Sequence, residues 1–132
     1  LTNTEVAIDF TSTGDSYQIT RAGPNFTVHA KGKFHLTLGV RVFLDQNNSL
    51  SRFWALHNSV AIPYFGVSSE PSAAGDAESI ISTGYFNANA GDVFTFRGIT
   101  SLANGATLQV LPAAAPAPAI ASAWVDIVGY LQ

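Results

Sequence analysis

The chain has 132 residues, 47% of them hydrophobic and 11% charged, and its nine acidic and six basic side chains give a formal net charge of -3. That length predicts a single domain over 1–132 that buries roughly two-thirds of its unfolded surface, and the hydrophobic share excludes a disordered chain. The six basic residues, Arg21, Lys31, Lys33, Arg41, Arg52 and Arg97, are scattered, which excludes a phosphate-tracking surface for nucleic acid, and zero cysteines exclude disulfides, thiol catalysis and cysteine zinc sites.

Alternation of period two runs through the chain. Val6, Ile8 and Phe10 alternate first, then Tyr17 and Ile19, then Phe26 and Val28. Turn residues separate them at Thr13-Gly14-Asp15-Ser16, Ala22-Gly23-Pro24-Asn25 and Lys31-Gly32. Over 34–45 the even positions are Phe34, Leu36, Leu38, Val40, Val42 and Leu44, and the odd ones His35, Thr37, Gly39, Arg41, Phe43 and Asp45. This predicts a long strand with one buried face. Further strands are expected at 50–57, 60–68, 78–87, 93–99, 106–111 and 123–131, with polar turns between them. The three prolines of 112–119 forbid a central strand and mark an extended loop feeding the last one. No stretch combines helical apolar spacing with a cap, so about ten short strands predict an all-β antiparallel sandwich, jelly roll or barrel.

No apolar run approaches the roughly 18 residues of a membrane span, so no membrane insertion is expected. The first residues lack the regions of a signal peptide, and the absence of Met implies a mature or trimmed piece of something longer. The charged share is under half of the roughly 25% usual for soluble domains. A monomer so composed exposes much apolar area, which predicts an oligomer.

Catalytic constellations are hard to assemble from these residues. His29 and His35 flank Lys31-Gly32; a two-residue hairpin there would put the imidazoles on opposite faces of a sheet, and a three-residue loop would put them opposite each other. No further ligands are recognisable nearby, so no metal site is expected. Asp45, Asn47 and Asn48 lack the glycine and later glutamate of a calcium loop and fit a polar turn. Gly14-Asp15-Ser16 matches the nucleophile block of one esterase family, but the helix and the late Asp-x-x-His that family needs are missing. The candidate carboxylate pairs are Asp76 with Glu78 and Asp92 with Asp126, which sequence does not bring together. The expectation is therefore no enzyme and no cofactor.

Aromatic residues say more. Phe34, Phe94 and Phe96 alternate as core, whereas Phe53-Trp54, Tyr64-Phe65 and Tyr85-Phe86 are adjacent pairs, and neighbours on a strand point to opposite faces. One member of each pair therefore leaves the core. The first reading is burial at a subunit interface; the sharper one is a sugar or receptor site, where an aromatic face packs on C–H surface and polar neighbours bond hydroxyls. Trp54, with Arg52 before it and His57 and Asn58 after it, is the leading candidate, and the expected ligand-binding set is Arg52, Trp54, Asn58, Tyr64, Asp76 and Glu78.

Four segments share an order with a known family: Gly32-Lys33-Phe34-His35-Leu36, Leu56-His57-Asn58-Ser59-Val60, Tyr85-Phe86 through Ala90-Gly91-Asp92-Val93-Phe94, and Val128-Gly129-Tyr130-Leu131. Spanning the chain in this order, they resemble the tumour necrosis factor-like superfamily, which also contains the globular heads of complement. The resemblance implies a two-sheet jelly roll that assembles as a homotrimer around a threefold axis. Members of that superfamily include receptor ligands, spore-surface and phage-spike tips, and a bacterial lectin type that binds fucosylated sugars between subunits. The absence of cysteines and the Pro112 to Pro118 loop depart from the animal members, and the Ala, Ser, Thr and Asn content looks more like bacterial or viral ones. None of the lectin's sugar-binding residues maps onto this chain. The expected function is a non-enzymatic trimeric binding domain for carbohydrate or a cell-surface receptor, displayed extracellularly, on a cell or on a virion. The alternative is a structural trimerisation tip of a spike, fibre or spore filament.

Overall fold

A computed structural model describes residues 1, 4–10, 17–69, 73–109 and 121–131, with Leu131 described for its backbone alone. The Gly14-Asp15-Ser16 segment and the proline-rich loop lie outside the described residues. The alternating runs form β1 (Val6–Ala7), β2 (Ile19–Ala22), β3 (Asn25–Val28), β4 (Gly32–Leu44), β5 (Ser51–His57), β6 (Val60–Ser69), β7 (Ala77–Ala88), β8 (Val93–Thr100), β9 (Ala106–Leu108) and β10 (Ala123–Leu131). In β4 every even-numbered residue from Gly32 to Leu44 is buried, as period two requires of a strand with one face on a core.

Two antiparallel sheets pack as a β-sandwich. The larger has the order β2-β3-β8-β5-β6, with β1 pairing β8 past the end of β3. The smaller has the order β10-β4-β7, with β9 pairing the last residues of β4 beyond β10. Among the described strands only β2–β3 and β5–β6 are hairpins, and the chain changes sheet from β3 to β4, β4 to β5, β6 to β7, β7 to β8 and β8 to β9. Lys31-Gly32 is therefore not a hairpin turn: it carries the chain from one sheet to the other, and neither hairpin register applies to His29 and His35.

The core lies between the sheets. Phe10, Phe26 and Phe96 meet edge-on with centroids 5.5 to 5.9 Å apart, a geometry in which the positive edge of one ring faces the negative face of another. Phe34, Phe65, Phe86 and Phe94 continue the aromatic layer, and Leu36, Leu38, Val40, Val42 and Leu44 of β4 fill the rest. Burying each of these large side chains contributes about 1.5–3 kcal/mol.

Candidate interface and ligand surfaces

The outward phase of the smaller sheet is the less ordinary one. Its register lines up cross-strand rows: Tyr130, Lys33 and Asn87; Val128, His35 and Tyr85; Asp126, Thr37 and Thr83; Trp124, Gly39 and Ile81. Ile81, Tyr85, Trp124, Val128 and Tyr130 are all exposed. Single exposed apolar residues are common on monomers; here five share one face, with the polar row of Asp126, Thr37 and Thr83 between the Trp124–Ile81 row and the Val128–Tyr85 row. Trp124 lies flat over Gly39, where an added Cβ would run into the indole. The Tyr85 ring has the Lys33 Nζ 5.1 Å from its centroid and the His35 ring at 4.6 Å. Arg41 donates from Nη1 to Ser79 Oγ at 3.3 Å near one end of the face.

On the larger sheet, Phe53 is buried while Arg52 and Trp54 point outward. Trp54 has Gly66 of β6 and Arg97 of β8 as cross-strand partners, and Arg52 has Ser68 and Ile99. The β5–β6 register shifts between Trp54 and Leu56, so that one residue of β5 opposes four of β6. Tyr64 stands on that bulge, fully exposed and with φ of 61°, while its neighbour Phe65 is buried. Arg97 lies 3.6 Å from the Glu5 carboxylate.

Asn58 has a different place. Asn58 and Ser59, both with positive φ, form the two-residue turn joining His57 to Val60, a conformation that suits the right-handed twist of the flanking strands. The Asp92 carboxylate accepts hydrogen bonds from Asn58 Nδ2, the Asn89 amide and His57 Nε2, each at 2.8 Å. Asn58 Oδ1 in turn accepts from the Val93 amide at 2.9 Å, and the His57 ring stacks on Phe94 at 5.0 Å. The Asn58 amide foremost, then the Asn89 N–H and His57, hold the Asp92 carboxyl down at about 2, because each stabilises the ionised form. Asn58 thus closes a latch between the β5–β6 and β7–β8 turns.

Asp76 and Glu78 sit at the other end of the sandwich. Glu78 accepts from Ser69 Oγ at 2.7 Å, which ties β7 to β6 across the two sheets. Asp76 accepts from the Ala73 amide at 3.2 Å through its carboxylate and from the Leu44 amide through its carbonyl. A strand of seven residues such as β5 spans about 20 Å, so these two acids and Asn58 are not neighbours. Of the six expected ligand residues, Arg52 and Trp54 share one outer face and Tyr64 is exposed on the bulge of the adjacent strand; Asn58, Asp76 and Glu78 are held in the fold's own hydrogen bonds. Asp92 and Asp126 are also apart, at one end of the larger sheet and on the outer face of the smaller. His29 bonds Thr20 Oγ1 at 2.8 Å on the larger sheet, and His35 belongs to the smaller. Among the described residues no group of three or more His, Cys, Asp or Glu side chains could hold a metal ion.

Two features escape the sequence reading. The Asp92 latch joins residues 34 and 35 positions apart, which no local spacing signals. Trp124, Val128 and Tyr130 form part of the exposed apolar face, and their signal is legible afterwards: β10 is apolar in both phases of its alternation. No protein-family model matches the chain, and no curated protein matches it.

Proposed function

We propose that the chain is a non-enzymatic, homotrimeric head domain of the tumour necrosis factor-like jelly-roll type that recognises carbohydrate or a cell-surface receptor outside the cell. The observation that carries this reading is the exposed apolar face of β7, β4 and β10, with Ile81, Tyr85, Trp124, Val128 and Tyr130 aligned by register. Packing that face against two further copies removes its apolar area from water. The sheet orders and the five changes of sheet support the jelly roll, and the ordered sequence segments support the superfamily. With the smaller sheet turned inward, the larger one faces a ligand, and three copies multiply a modest affinity.

Sedimentation is expected to give the mass of three chains, and Ile81→Glu, which charges an exposed position without touching the core, is expected to give a folded monomer. A one-chain mass for the parent protein at micromolar concentration would reject the trimer. A glycan array and receptor-binding assays that both stay blank with folded trimer would reject the binding function. The second reading, a structural trimerisation tip, is favoured by the engagement of Asn58, Asp76 and Glu78 in the fold itself. Under it, variants of Arg52 or Trp54 leave adhesion by the parent chain intact, while deleting the domain abolishes assembly.

A further inference from the structure

We infer that the outer face of the larger sheet holds a site for a carboxylate-bearing saccharide, with Trp54 and Tyr64 as aromatic walls and Arg52 as the anion partner; this rests on the glycan reading of the chain. Gly66 is the first support. It lies opposite Trp54 on the same face, its φ is not in the left-handed region, and an added Cβ would come to 3.5 Å from the Trp54 Cβ. The same Cβ would come to 3.0 Å from the Phe53 carbonyl oxygen, so glycine admits the close approach of the two strands and leaves no side chain beside Trp54. Tyr64 is exposed on the bulge two residues before Gly66, and Trp54 stands across the strand pair from Gly66.

Tyr64 supplies the second support. A bulky residue in the left-handed region costs on the order of 1 kcal/mol, and burial of its own ring does not offset that cost, because the side chain is fully exposed. Bulges of this kind re-aim a side chain, and here the result is a phenol ring presented to solvent on the strand next to Trp54.

Charge decides the class of sugar. Two of the chain's six basic side chains flank Trp54 on its face, Arg52 along the strand and Arg97 across it. Arg97 is engaged by Glu5 at 3.6 Å, whereas Arg52 is exposed and has no hydrogen bond or ion pair among the described residues. A guanidinium presents parallel N–H donors that match a carboxylate, while aromatic faces take the C–H side of the ring. A uronic or sialic acid carries both features in one residue, and a neutral sugar carries only the second.

The test is calorimetric titration of the intact protein with matched probes, methyl glucuronoside against methyl glucoside and sialyllactose against lactose, after an array containing acidic and neutral glycans. An acidic member of a pair is expected to bind at least tenfold tighter than its neutral match, with the preference weakened by salt. Arg52→Gln should remove that preference, and Trp54→Ala and Tyr64→Ala should each weaken both members at least tenfold. Arg52 and Tyr64 are exposed, so their variants should fold, as circular dichroism will verify. Equal binding of neutral and acidic partners, or a preference that survives Arg52→Gln, overturns this site while leaving a glycan-binding head in place. A blank array and blank titrations overturn both.

Discussion

Asp92 joins two turns of the chain, and its acid chemistry follows from those bonds. Its folded-state value of about 2 lies below the ordinary 3.8, so ionisation favours the folded form. That contribution is complete above the unfolded-state value, near pH 4, and is lost as pH falls through about 2. Asp92→Asn keeps the shape and removes the charge. It is expected to destabilise the fold by about 2 kcal/mol near neutral pH, and by less at pH 2, in urea denaturation at the two values. None of this was legible beforehand: Asn58 follows a tryptophan and a histidine closely enough to read as a ligand residue, and only the tertiary fold shows that its amide faces Asp92.

At the scale of the element, β4 was readable because one physical cause, a single buried face, determines every second residue. Leu38 is fully buried there, and Leu38→Ala is expected to cost about 3 kcal/mol in denaturant unfolding. The adjacent aromatic pairs were readable for the same reason: Phe53, Phe65 and Phe86 pack into or against the core while Trp54, Tyr64 and Tyr85 turn outward. β10 defeats such reasoning, because Trp124, Val128 and Tyr130 add an apolar outer phase to an apolar inner one. Its strand bounds were evident and its two-sidedness was not. The passage from β3 to β4 failed for another reason. Lys31-Gly32 is a turn, but residue type does not say whether a turn returns the chain to the same sheet or sends it across the sandwich.

At the scale of the molecule, the two outer faces differ in kind. The smaller sheet offers rings and branched chains, and the larger offers arginines beside a tryptophan and an exposed tyrosine. In the trimeric reading the first face is satisfied by other copies, so stability includes an association term. The unfolding midpoint is then expected to rise with protein concentration between micromolar and hundred-micromolar samples, and to become independent of concentration in Ile81→Glu. Five changes of sheet also place most strand pairing between distant parts of the sequence, a topology that folds slowly.

The bulge that presents Tyr64 has one more effect. β6 is the outer strand of its sheet, where a run of free amides and carbonyls invites another chain to add on and start a fibril. Pro63 offers no amide, and the three surplus residues between Ala61 and Gly66 throw the strand out of step, so a straight incoming strand meets a broken template. A protein with so few charges to keep it dispersed has in this irregularity a guard against aggregating along that edge.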